Sequence, residues 1–172
     1  MSEPRRRRAD VILEPPYLEG IADKSVDDVR AMHDETLEVE TEISYVRRLA
    51  QARIDIVEAE IARRAAGGSI GDLVAALPHI LADDHARPDP ASSRLPRHLA
   101  PAPDIEWKRD LEELITDATL VNLPTLSDDE LTTTLGHLRE LEHETSERRR
   151  AMHGVIDRIE GELVARHTAD RS

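Results

Sequence analysis

Residues 40–55 read ETEISYVRRLAQARID, and residues 142–157 read EHETSERRRAMHGVID. In the first stretch Glu40, Ser44, Arg47, Gln51 and Asp55 spell E-x3-S-x2-R-x3-Q-x3-D. At an offset of 102 residues Glu142, Ser146, Arg149, His153 and Asp157 spell it again, with His in the place of Gln. Aligned at that offset, segments 25–64 and 127–166 agree at 13 of 40 positions, and ten of the agreements fall between residues 38 and 60. A repeat concentrated on polar residues points to a duplicated site as well as a duplicated scaffold.

The steps of 4, 3, 4 and 4 residues keep the five side chains within a stripe of roughly 80° on a helix that advances about 100° per residue. Each copy is therefore a ladder of about four turns along one helix face. A bland acidic surface helix would carry Glu–Lys pairs at i,i+4. Lys24 and Lys108 are the two lysines of the chain, and neither lies in a repeat helix core.

Both repeats open on a capping box. Ser25 begins S-V-D-D with Asp28 at the third helical position, and Ser127 begins S-D-D-E with Glu130 there. Segments 25–64 and 127–166 contain no proline, so each is expected to be one helix of roughly 60 Å. In the first, Val29, Met32, Thr36, Val39, Ile43, Val46, Ala50, Ile54, Val57 and Ile61 follow an alternating 3/4 spacing with one slip near Arg53, the mark of a coiled-coil seam. The second offers Leu131, Leu138, Leu141, Met152, Ile156, Ile159 and Leu163, and its seam weakens at Thr145 and Arg148. On the helical wheel the ladder is centred about 85° from the seam, which places it beside the pairing surface and not inside it.

The fold expected is all-α: a long antiparallel two-helix coiled coil with short helices in the connector. Residues 1–24, with Pro4, Pro15 and Pro16 and the basic run Arg5–Arg8, are expected to form an unstructured tail. The coiled-coil domain spans 25–166, with helices 25–64 and 127–166 and a connector 65–126; residues 167–172 form a C-terminal tail. Gly67 and Gly68 end the first helix, and S-I-G-D at 69–72 caps a short one whose apolar residues Leu73, Val74 and Leu77 precede Pro78. Five prolines make 84–103 a flexible linker, and Ile105, Leu111, Leu114 and Ile115 mark an amphipathic helix at 104–117, with Trp107 as an anchor.

Composition narrows the function. The 172 residues include no cysteine and no phenylalanine, with Tyr17, Tyr45 and Trp107 the three aromatic residues. A thick globular core and thiolate chemistry are thereby excluded. The formal net charge of −13 argues against direct DNA binding, which needs a basic footprint, and suits a partner that is itself basic. No run of about 18 apolar residues and no apolar leader core is present, so no membrane association and a cytoplasmic setting are expected. The eight histidines are scattered without an i,i+4 pair, which gives no metal site. Ser44 and Ser146 lie within helices with no convincing triad, and no glycine-rich phosphate loop follows a strand, so no enzyme is expected.

Two antiparallel ladders related by a pseudo-twofold axis would meet at mid-height. Arg can fork onto the O6/N7 edge of guanine or onto phosphate, and Asp or Glu can accept from guanine N–H groups. Arg48 and Arg150 also repeat, and Arg53 and Arg148 lie close by. Two readings of the ladder stand at this point: a site for a guanine nucleotide or another polar anion, and a polar network that fixes coiled-coil register.

The duplicated ladder also resembles the signature of the RsiG family of actinobacterial anti-sigma factors, as does the connector phrase GGSIGDLVAALPHIL at 67–81. The likeness covers about 25–166. It implies an antiparallel coiled coil that binds two molecules of cyclic-di-GMP per chain and, so liganded, sequesters a WhiG-like sporulation sigma factor as a one-to-one heterodimer. It implies ligand contacts from Glu40, Ser44, Arg47, Gln51 and Asp55 in one half-site and from Glu142, Ser146, Arg149, His153 and Asp157 in the other. His153 departs from the family's Gln. The rival expectation is a coiled-coil adaptor that needs no ligand.

Overall fold

The computed structural model of the chain describes residues 8–83 and 122–169. It contains four α-helices in that part: α1 (Arg8–Leu13), α2 (Val26–Ala65), α3 (Ile70–Asp83) and α4 (Asp128–Ala169). Short 3-10 turns lie at Pro15–Leu18, Ile21–Asp23 and Leu123–Thr125, and the described residues include no strand.

Local chemistry fixes the helix ends. The Ser25 hydroxyl accepts from the Asp28 amide at 3.1 Å. At α4 the box is reciprocal: the Glu130 amide donates to Ser127 Oγ at 3.3 Å and the Ser127 amide to Glu130 Oε2 at 2.7 Å. These bonds satisfy amides that a helix start leaves without partners. At the end of α2, Gly67 takes φ +68°, where a Cβ would be strained. Its amide bonds the Arg64 carbonyl and the Gly68 amide bonds the Arg63 carbonyl, each at 3.0 Å. That paired pattern closes the last turn and lets the chain reverse into α3.

Helices α2 and α4 run antiparallel. Their cross-links descend along α4 as they climb α2: His33 to Glu160, Arg47 to Glu142, Glu58 to Arg139, Arg64 to Asp128. Between them Val29, Val39, Ile43, Val46, Ala50 and Val57 face Leu131, Leu138, Met152, Ile156 and Ile159, all buried. Each large apolar side chain so buried contributes about 1.5–3 kcal/mol, which makes this seam the main cohesive element. Thr36 and Thr145 sit in it without loose polar groups, since each hydroxyl donates to a carbonyl of its own helix, Thr36 to Met32 at 2.7 Å and Thr145 to Leu141 at 2.8 Å.

The repeat extends past the helices. Arg64 donates to the carbonyls of Leu123 and Leu126, at 3.0 and 2.7 Å. Arg166, its counterpart at the 102-residue offset, donates to the carbonyls of Ile21 and Lys24, both at 2.7 Å. Those four carbonyl residues obey the same offset and flank equivalent 3-10 turns. The C-terminal end of each long helix therefore clamps the lead-in to the other. Each clamp is braced by a glutamate one turn back, Glu60 for Arg64 and Glu162 for Arg166, both at 2.7 Å.

Several expectations need correction. Residues 8–24 are not an unstructured tail. Ala9 and Ile12 of α1 are 1% exposed, and Arg8 reaches Glu38 at 2.8 Å with Glu35 and Glu42 nearby. Arg148, where the seam was read as weak, turns toward Asp10 of α1 at 3.9 Å. The short connector helix is α3, which runs through Pro78 to Asp83. Helix α4 runs three residues past 166, into the expected tail. The linker 84–103, the helix at 104–117 with Trp107, and Arg5–Arg7 of the basic run lie outside the described residues.

The clamps lead to two tests. Arg64→Ala or Arg166→Ala leaves backbone carbonyls without their charged donor and should cost about 1–3 kcal/mol, a fall of several degrees in melting temperature measured by circular dichroism. Glu60 has no exposed side-chain surface; the Arg63 hydrogen bond above all, and Arg64 after it, outweigh burial and hold its carboxyl down from the usual 4.5 to about 2. A carboxyl depressed on folding contributes stability in full above pH 4.5, and that contribution is lost as pH falls toward 2. Glu60→Gln should therefore flatten the acid limb of stability across that window, and an unchanged limb would remove Glu60 from the account.

Candidate functional site

The ten ladder residues line one flank of the α2–α4 seam. Nine are half-buried and Asp157 is exposed. Helical spacing alone places them there, since steps of three and four residues stack side chains along one edge. The acidic positions that hold α1, at Glu35, Glu38 and Glu42, lie on the opposite flank of α2 by the same geometry. Helix α1 thus leaves the ladder face uncovered.

The ladder is wired across the helices. Glu40 Oε1 accepts from Ser44 Oγ at 2.7 Å on its own helix, and from Arg149 Nε and His153 Nε2, both at 3.1 Å, on the other. Glu142 Oε1 accepts from Ser146 Oγ at 2.8 Å on its own helix, and from Gln51 Nε2 at 3.1 Å and an Arg47 terminal nitrogen at 3.4 Å on the other. These are two copies of one arrangement related by a pseudo-twofold axis between the helices. The structure thus brings eight of the ten predicted residues into two clusters. Each cluster takes Glu and Ser from one helix and Arg and Gln or His from its neighbour.

The clusters differ in detail. Arg149 Nε also donates to Ser44 Oγ at 3.0 Å, whereas Arg47 Nε is buried and has no acceptor among the described residues. Burial pushes the Glu40 carboxyl up, but the Ser44 hydroxyl, His153 and Arg149 together hold it below its usual value. It is therefore an anion at neutral pH. Asp55 is half-buried and Asp157 exposed; both lie at the outer ends of the ladder and neither is without a partner.

The polar groups of the ladder are engaged with one another. Its serines donate to glutamates of their own helix, and His153 addresses Glu40. No group of His, Asp and Glu suited to a metal ion occurs among the described residues. Nor is any described helix long and apolar enough to cross a membrane. A depression of about 370 Å³ lined by Leu126, Asp129, Glu130, Thr133 and Thr134 lies away from the ladder, at the start of α4.

Two functional features escaped the sequence reading. The Arg64 and Arg166 clamps fix where the ladders meet, and the signal was present, since both arginines and their bracing glutamates are among the repeat's identities. Helix α1 left no usable signal in six residues.

The chain matches the RsiG-like family over residues 15–81 and 117–172, well over half of its length. No curated protein matches it. The matched segments hold both ladders and both arginine clamps, and the duplicated, cross-wired coiled coil built from them belongs to the RsiG-like family.

Proposed function

We propose that this protein is a cytoplasmic anti-sigma factor that binds two molecules of cyclic-di-GMP on the ladder face and, so loaded, sequesters a WhiG-like sporulation sigma factor. The observation that carries the proposal is the pair of pseudo-twofold clusters Glu40–Ser44–Arg149–His153 and Glu142–Ser146–Arg47–Gln51. A symmetric dinucleotide pair presents repeated guanine edges to repeated donors and acceptors. Arginine matches O6 and N7, and a carboxylate matches the N–H groups.

The partial exposure of the ladder residues supports a bridging ligand. A nucleotide lying on two helices keeps one side in water, and a partner that closes over it buries both together. Ligand and partner then strengthen each other reciprocally. Family membership supports a sigma factor as that partner, and the acidic surface, with a net charge of −13, complements basic DNA-binding regions. The protein makes and breaks no bond in this role. Both clusters lie in one chain, so a single copy suffices for one complex.

A second reading has its own support. The ladder bonds run from helix to helix, so they also fix register, as a ligand-independent adaptor would require. Thermal melting with and without cyclic-di-GMP separates the two, because a ligand of the folded state raises apparent stability. A raised melting temperature, with native mass spectrometry showing one chain, one sigma factor and two ligands, is the expected result. Melting that ignores cyclic-di-GMP with and without a WhiG-like sigma factor leaves the adaptor reading standing.

Arg47→Ala and Arg149→Ala each remove a charge-assisted contact worth about 1.5–3 kcal/mol. Affinity for cyclic-di-GMP should fall by about one to two orders of magnitude in calorimetric titration, and wild-type affinity in either variant would refute the site.

A further inference from the structure

Arg48 and Arg150 stand next to the ladder arginines and obey the same 102-residue offset, yet lie outside the five-residue motif. On the helix surface Arg48 neighbours Ser44 one turn back and Gln51 one turn on, and Arg150 stands in the same relation to Ser146 and His153. Both therefore border the ladder on its edge away from the apolar seam. Arg48 is half-buried and Arg150 exposed. Neither has a hydrogen-bond or ion-pair partner among the described residues.

Charge accounting gives this pair its meaning. Arg47 is held by Glu142 and Arg149 by Glu40. With Asp55 and Asp157, two arginines face four carboxylates, a formal charge of −2 with His153 neutral. Each cyclic dinucleotide brings two phosphodiester anions to that surface. The ladder supplies donors and acceptors for base edges but no net positive charge for phosphate. Arg48 and Arg150 bring the formal charge of the face to zero, and a guanidinium fork fits phosphate oxygens in pairs.

We propose that Arg48 and Arg150 are a pseudo-twofold pair of phosphate-binding residues on the outer rim of the ladder. The proposal rests on the reading of the ladder as a cyclic-di-GMP site. With base edges against the clusters, the phosphodiesters would face the rim, where these two cations have no partner among the described residues. Their freedom costs the fold little and leaves both available to a ligand, unlike Arg47 and Arg149, which must exchange a glutamate for it.

The test is titration of the full chain with fluorescent cyclic-di-GMP at stepped potassium chloride concentrations. Arg48→Gln and Arg150→Gln should each weaken binding by about tenfold at low salt, and the double variant by about a hundredfold. The double variant should also show a shallower dependence on salt, because fewer anion contacts remain. Arg48→Lys and Arg150→Lys keep the charge and should bind closer to wild type. Arg158→Gln removes an exposed arginine from another face of α4 and should leave affinity unchanged. Melting temperatures without nucleotide should match wild type throughout, since no bond within the described fold is lost. A double variant that binds within about twofold of wild type overturns the proposal, while loss in Arg47→Ala alone leaves the ladder site in place. If wild type itself does not bind cyclic-di-GMP, the ladder reading falls and this inference with it.

Discussion

Two half-buried carboxylates, Glu40 and Glu142, depend on donors from the opposite helix. Each has one serine within reach on its own helix, and every other partner comes across the seam. A carboxylate placed there without its donors would bear much of its desolvation cost alone. Sliding either helix by one turn, about 5.4 Å, would part Glu40 from Arg149 and Glu142 from Arg47 together. Apolar seams of Val, Ile and Leu tolerate such slips more readily than charged hydrogen bonds do. The polar clusters thus select one register among several that the seam would accept, and the Arg64 and Arg166 clamps enforce it at both ends.

Much of this order is legible in the sequence because it is local. The caps at Ser25 and Ser127 and the glycine stop at Gly67 set the ends of the long helices, so boundaries read at 25–64 and 127–166 lie close to Val26–Ala65 and Asp128–Ala169. Periodicity placed the seam, and spacing placed the ladder on its flank. What escaped was non-local or backbone-directed. Spacing shows which residues share a face but not that each ladder glutamate takes its arginine from the other helix. The arginine clamps end on carbonyls, which every residue has and no side chain advertises. Helix α1 is too short to nucleate alone and is held by Ala9, Ile12 and Arg8 against surfaces already built.

Duplication explains why the site is symmetric and why it is not perfectly so. One ancestral helix pattern, paired antiparallel with its copy, places every side chain opposite its own duplicate and creates a twofold site without a second subunit. The copies are then free to diverge. His153 for Gln51 is one divergence. The support of the clamps is another, with Glu60 held by both Arg63 and Arg64, while the position equivalent to Arg63 is Ala165. A homodimer of identical helices could not separate the two halves in this way.

The same bonds that fix register set the terms on which a ligand can bind. A nucleotide placed on the ladder exchanges contacts more than it adds them, since Arg47, Arg149, Gln51 and His153 already address glutamates. Exchanged hydrogen bonds yield little net free energy, about 0.5–1.5 kcal/mol apiece. Affinity must then come from terms that the resting ladder lacks: charge on its rim, stacking between paired bases, and apolar area closed off by a partner. A partly exposed face is poor at the last of these by itself and good at it when a second protein covers the ligand. On the proposed reading, a nucleotide that binds the chain by itself would be held more firmly once a partner covers it, and ligand and partner would strengthen each other.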